Sequence, residues 1–549
     1  MADRSSITAF ICTALIAFGA GVSATAQQSS ADSIAPATMR RIGTVDPRFQ
    51  SYNIEMVEVI GGRFWKPYDT SSPAAHPPEP AAAASNKNQP VGMDPNLYQY
   101  RSPIDLSNPR LRKLATALGP AFVRVSGTWA NSVYFQDSDA PAPTIPPKGF
   151  NGVLTRQQWK GVVDFAHATD AEIVTSFSTS AGTRDAAGVW TPDQARHFLN
   201  YTKSIGGSIA AAEYMNEPTF AAIGGAPKGY DAAAYARDIR VFLPFIRQAA
   251  PGMIFLGPGG VGEGGTLVPA GMSMKMLASA DLLKATGPVF DAFSYHFYGA
   301  VSKRCATMGG PSQTTPEAAL SNEWLSRTDT VEQFYATLRD QYEPGKALWV
   351  TETADAACGG NPWASTFLDT FRYLNQHGTL AKRGVQVIMH NTLAASDYGL
   401  LDENTLAPRP NYWAALLWHK LMGTTVLDAG ASPAQNLHLY AHCLLNQPGG
   451  VALLVINADR TSSHQLAIPV ESHRYTLTAH ELIDTVVDLN GHELKLNSEG
   501  DLPSLDGVST PAGDVALAPA SITFLAMPGA NNSSCHLGNH IGGLGPALP

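Results

Sequence analysis

The chain has 549 residues, 44% hydrophobic and 15% charged, the make-up of an ordinary globular protein with ample core. Its length suggests two to four domains, unless part of it is a barrel of alternating strands and helices, which runs to about 250 residues as one unit. A formal net charge of −9 argues against nucleic acid, a partner that calls for a basic face.

Residues 1–26 open Met-Ala-Asp-Arg, continue with an apolar run from Ile7 to Val22 and end at Ala24-Thr25-Ala26. That is the pattern of a secretory signal peptide, with Gln27 as the expected mature start and a secreted or periplasmic address. A membrane anchor is the alternative, but the run is short and rich in small residues. No later stretch is long and apolar enough to span a bilayer, so no membrane association is expected after cleavage. Residues 27–48 read as a linker followed by a strand that joins the C-terminal sheet.

From residue 49 to 411, eight strand-like runs alternate with amphipathic helices. The runs are Tyr52–Val59, Ala121–Ser126, Glu172–Ser178, Ala211–Met215, Met253–Leu256, Ala292–Phe297, Ala347–Thr351 and Val385–Met389. Between them, Asn108–Gly119, Arg156–Thr169, Thr191–Ile205, Tyr230–Ala249, Met272–Thr286, Val331–Tyr342 and Ala364–His377 place apolar residues three and four apart. This α/β pattern predicts a (β/α)8 TIM barrel, whose chemistry sits at the carboxyl ends of the strands. The Pro-, Ala- and Ser-rich stretch Pro67–Leu97 reads as a solvated insertion, though it hangs from that same face and could wall one end of a cleft. From 412 to 528 a helix (Tyr412–Leu421) precedes short alternating stretches, predicting an accessory antiparallel β-sandwich of about eight strands. The Gly- and Asn-rich tail, 529–549, reads as loose except at Cys535.

Two glutamates carry the chemistry. Glu217, in Asn216-Glu217-Pro218, follows the fourth strand, and Glu352, in Thr351-Glu352-Thr353, ends the seventh. Paired carboxylates on one rim are what glycosidic cleavage requires, one protonated to donate to the leaving oxygen and the other ionised to attack. Glu217 is the expected general acid/base and Glu352 the nucleophile. Arg124, ending the second strand, is placed to support the charge of Glu352, unless it pairs elsewhere. Tyr298, after the sixth strand, is placed to hydrogen-bond Glu352, and His296 shares its face by period two; either could instead be packed core. Cys305, Cys358, Cys443 and Cys535 remain after the leader, and an even count in an oxidising compartment permits two disulfides in three pairings. Their spacing suits no metal site, and no cofactor motif is present.

Ordered stretches along the chain resemble the heparanase-like glycoside hydrolases, family 79. They include Asn108-Pro109-Arg110-Leu111-Arg112-Lys113-Leu114, Phe122-Val123-Arg124-Val125-Ser126-Gly127-Thr128, Asn216-Glu217-Pro218, Glu352-Thr353, Leu400-Leu401-Asp402-Glu403-Asn404, Asn411-Tyr412-Trp413 and Leu439-Tyr440-Ala441-His442-Cys443. The resemblance implies a retaining β-glucuronidase acting on a glucuronide or a glucuronate-containing glycan, from a chain end or internally. It makes Asn216 the donor to the sugar 2-hydroxyl, and Glu55 and Thr128 contacts to other hydroxyls. It gives the glucuronate carboxylate the backbone N–H groups of the loop Cys358-Gly359-Gly360, together with Tyr398. It also pairs Cys443 with Cys535; Cys305 and Cys358, neighbours on the loops after strands six and seven, are the candidate second pair, and whether they bond stays open.

The chain departs from the mammalian pattern at Gly262-Glu263-Gly264-Gly265, where a basic cluster is missing, and at Ala357-Cys358. Fewer cations weaken any grip on sulfates. The alternatives are a related barrel glycosidase for a neutral sugar, such as a xylosidase or arabinofuranosidase, and a silent glycan-binding protein. Endo and exo action stay open, since Pro67–Leu97, Asp137–Gly149 or Lys303–Glu323 could close the non-reducing end.

Overall fold

The computed structural model describes residues 32–68, 90, 93–265, 267, 276–306 and 313–536. The apolar leader, most of the Pro67–Leu97 insertion and the chain beyond 536 lie outside the described residues. Among the described residues no helix is long and apolar enough to cross a membrane.

Eight parallel strands close a barrel in chain order. They are β1 (Gln50–Glu55), β2 (Ala121–Ser126), β3 (Ala171–Ser176), β4 (Ile209–Glu213), β5 (Ile254–Gly260), β6 (Ala292–Val301), β7 (Ala347–Ala357) and β8 (Val387–His390), which returns to β1. The side-chain period of two sorts each strand. Phe122, Val174, Ala211, Leu256, Ala292, Trp349, Val387 and Met389 fill the barrel interior, whereas Val123, Ala212, Phe293 and Val350 pack under the helices. Two positions further along, the same inward parity delivers Arg124 on β2, Glu213 on β4 and Ser294 on β6, so the plug turns from apolar to polar towards the carboxyl ends.

Strands β5, β6 and β7 run four to six residues past their expected ends, and two further boundaries differ. The first strand stops at Glu55 because Met56–Ile60 is helical, and the Glu58 carboxylate accepts the Glu55 N–H at 2.7 Å, a helix-start contact that outweighs the apolar alternation. The helix expected from Val331 begins at Asn322, where the Ser321 hydroxyl caps the Trp324 N–H at 3.2 Å.

The C-terminal part is a nine-stranded antiparallel sheet faced by a three-stranded one. The large sheet runs Arg41–Thr44, Met422–Leu427, Leu437–Leu444, Val451–Asn457, Ser521–Met527 and Ser472–Thr478, then the shorter strands. The small sheet holds Asp32–Ser33, His464–Ile468 and Gly513–Leu517. Leu453 and Val455 pack towards the small sheet, and Leu454 and Ile456 join the core that extends through the barrel helices. Cys443–Cys535 ties the end of the described chain to this sheet, and Cys305–Cys358 joins the loops after β6 and β7.

Gly378 marks the closest approach of sheet and barrel. A Cβ there would fall 2.2 Å from the Tyr440 ring, whose hydroxyl donates to Asn375 Oδ1 at 2.6 Å. Alanine normally stabilises a helix over glycine by up to about 1 kcal/mol. Here Gly378→Ala is expected to lower the thermal midpoint instead, overpacking costing about 1–3 kcal/mol. Scanning calorimetry of the two proteins decides the sign.

Candidate active site

Glu217 lies four residues beyond the end of β4, in a backbone conformation with φ +49° that few non-glycine residues adopt. The turn is held by Asn131, whose side chain grips the preceding residue from both sides. Its Oδ1 accepts the Asn216 N–H at 2.8 Å, and its Nδ2 donates to the Asn216 carbonyl at 2.9 Å. Glu352 lies within β7, where the pairing with β6 shifts register between Tyr295 and His296. An oxygen of Glu217, an oxygen of Glu352 and a ring nitrogen of His296 all lie within 4.8 Å of one another.

Beneath them Arg124 is buried among acceptors. Its Nη1 donates to Glu352 Oε2 at 2.9 Å, and its Nη2 donates to Glu213 Oε2 at 2.8 Å and Asn216 Oδ1 at 2.7 Å. Tyr298 donates to the other Glu352 oxygen at 2.6 Å. Glu213 also accepts from Ser294 at 2.8 Å and Thr351 at 2.7 Å. Burial works against its charge, but Arg124 and His296 hold its carboxyl far below the usual range. His296 Nδ1 lies 3.1 Å from Glu217 Oε1. Burial and the nearby guanidinium oppose a charge on this ring, yet Glu352, Glu213 and Glu217 together push it up to about 9. Glu217 itself is raised, first by burial and then by the negative field of Glu352, with His296 working the other way. A carboxyl raised above the usual range beside one with two donors on its oxygens is the division of labour acid-assisted displacement needs.

The pocket above has a volume of roughly 900 Å³ including its mouth. Glu55, Thr128, Glu217, Tyr298, Glu352, Cys358 and Tyr398 line it, as anticipated from sequence. His296, Arg124 and Asn216 sit underneath the carboxylates, and the Asn216 amide nitrogen has no hydrogen-bond partner. The expected glycine donors fare less well. Gly360 gives its N–H to the Ala356 carbonyl at 3.2 Å, and neither Gly359 nor Gly360 reaches the pocket wall; Gly359 packs against Trp65 and Ser396. Of the insertion, Pro90 and Met93 do line the pocket. Among the described lining residues none is basic.

Sequence reasoning missed three polar anchors. Glu213 was passed over as part of an apolar run, although a lone acid inside a barrel strand is itself a signal. Asn131 sits on a loop turn whose partner only the fold reveals. Asn391, just past β8, donates to Glu55 at 3.1 Å, Tyr298 at 3.1 Å and Tyr398 at 3.0 Å. Glu217, His296 and Glu352 are also the one donor group among the described residues spaced to hold a metal ion. Arg124 and the cationic His296 already face those carboxylates, so a metal would meet two positive neighbours.

Residues 101–378, just over half of the chain, match the family model described as glycosyl hydrolase family 79, N-terminal domain. The chain belongs to glycosyl hydrolase family 79. It is 26% identical to heparanase-like protein 1 of Arabidopsis thaliana (79% of this chain, 86% of that protein) and 27% identical to heparanase of Mus musculus (81% and 89%). It is 25% identical to baicalin-beta-D-glucuronidase of Scutellaria baicalensis (78% and 84%). In fold it resembles the GH51 arabinofuranosidase of Xanthomonas axonopodis pv. citri, with a TM-score of 0.57 at 16% identity over 89% of this chain and 99% of that one. The family 79 chain is therefore a glycoside hydrolase, built as a barrel with an antiparallel sheet domain.

Because the folded protein holds the His296 proton more tightly than the unfolded chain, the stability this adds is fully present below about pH 6.5 and lost as pH rises through about 9. The difference in thermal midpoint between the native protein and His296→Gln should therefore be widest near pH 6 and narrow towards pH 9.5. A gap that widens with pH would contradict the charged ring.

Proposed function

We propose that this family 79 hydrolase is a retaining β-glucuronidase working by double displacement. The observation that carries the mechanism is the approach of Glu217 and Glu352 oxygens to within 4.8 Å across one pocket. Retaining enzymes hold their carboxyl groups roughly 5–5.5 Å apart, whereas inverting ones leave roughly 6.5–9.5 Å for a water. Glu352 attacks the anomeric carbon as the bond to the leaving oxygen breaks, and Glu217 gives that oxygen its proton. Water then attacks the glycosyl ester, losing a proton to Glu217 and releasing Glu352. Asn216, its Oδ1 accepting from Arg124 and its amide nitrogen unpartnered, is positioned for the 2-hydroxyl, a contact that tightens as oxocarbenium character develops.

The relatives named glucuronidase and heparanase support glucuronate as the sugar. Its carboxylate would meet the Tyr398 hydroxyl and the loop at Cys358, without the Gly360 N–H. A lining with no described cation favours a substrate without sulfate. The same feature suits a neutral sugar, the second reading, and a panel of aryl glycosides separates the two. Two disulfides and the apolar leader support export to a secreted or periplasmic location.

Glu352→Gln is expected to cut turnover of an aryl β-glucuronide by more than about a thousandfold. Retention of a tenth of the activity would remove Glu352 as nucleophile. Glu217→Ala should spare dinitrophenyl glucuronides, which leave unaided, far more than alkyl glucuronides. Equal losses on both would remove Glu217 as proton donor.

A further inference from the structure

Since Glu217 must touch the leaving oxygen, the departing group lies over the loops after β4 and β5, at Phe220, Ile223 and Val261. The sugar ring then lies towards β7, β8, β1 and β2, over Glu55, Asn391 and Tyr398.

That second half is walled. A hairpin of strands Gly62–Trp65 and Tyr98–Arg101 stands above β1. The Trp65 and Tyr98 rings meet tilted, 4.7 Å between centres, and both approach Trp129, on the loop after β2, at 6.4 and 6.2 Å. On its other side Trp65 meets the β7 loop so closely that a Cβ on Gly359 would fall 2.7 Å from it. The wall thus runs without a break from the β2 loop through the hairpin to the β7 loop.

It is also fastened. Arg304, after β6, donates to the Lys66 carbonyl at 2.9 Å, the Cys358 carbonyl at 2.7 Å and the Gly360 carbonyl at 3.1 Å, and pairs with Asp397 after β8. Cys305 beside it is bonded to Cys358, and Arg101 of the hairpin pairs with Glu403. Three polar atoms of this end are buried without a hydrogen-bond partner, Glu55 Oε2, Asn391 Oδ1 and the Tyr98 hydroxyl, and all three residues line the pocket. A further sugar carried on an oxygen at this end would be driven into the wall.

We propose that the enzyme is exo-acting, releasing one terminal sugar and refusing chains that continue past it, because this aromatic wall closes the pocket opposite Glu217. The inference rests on the mechanism above for the direction of the sugar, and on glucuronate only for its identity.

The test compares kcat/KM for 4-nitrophenyl β-glucuronide with that for the same glucuronide bearing a second sugar on O4, using the full chain. The substituted compound should react at least about fiftyfold more slowly; any smaller loss overturns the inference. If the unsubstituted glucuronide is inert while a neutral aryl glycoside turns over, the glucuronate reading has failed. The same pair built on that neutral sugar then decides terminal action by the same ratio.

Discussion

A single guanidinium, Arg124, sets the terms for everything above it. It is buried inside the barrel, 2.8 Å from Glu213 on β4 and 2.9 Å from Glu352 on β7. Four carboxyl groups, of Glu55, Glu213, Glu217 and Glu352, share this space with two cationic groups, Arg124 and His296. Burial raises Glu55 and Glu217 above the usual carboxylate range, while Arg124 donates to Glu213 and Glu352. The asymmetry that separates a proton donor from an attacking oxygen is thus a consequence of where one arginine lies.

The barrel supplies that arrangement cheaply. Inward side chains recur every second residue, so Phe122 seals the floor and Arg124 stands above it on the same strand. Ala211 and Glu213 repeat the step on β4, as do Ala292, Ser294, His296 and Tyr298 on β6. The apolar floor excludes water from below and strengthens each polar contact above it. Loops then add what strands cannot, namely the Asn131 grip that turns Glu217 inward and the Arg304 fastening that fixes the rim.

Much of this was legible in the sequence because strands announce themselves by alternation. Alternating strands and helices gave the barrel, and a glutamate at the end of two apolar runs gave Glu217 and Glu352. Arg124 and Tyr298 could be placed by parity along their strands. What parity could not supply was the partner. Glu213 looked like one acid in an apolar run until Arg124 was seen opposite it. Asn131 and Asn391 act across long sequence distances, Gly359 of the β7 loop makes room for Trp65, and Gly360 gives its N–H to Ala356. The premature end of β1 followed from a local contact between Glu55 and Glu58 that the apolar alternation concealed.

The central claim is that Glu352, braced by Arg124 and Tyr298, forms a bond to the sugar. Incubation with a 2-deoxy-2-fluoro-β-glucuronyl fluoride, which slows breakdown of such an adduct, followed by mass spectrometry of the digested protein, tests it directly. The account predicts one added glucuronyl group on the peptide containing Glu352. A label on the Glu217 peptide, or release of a product with inverted configuration and no adduct, would contradict it.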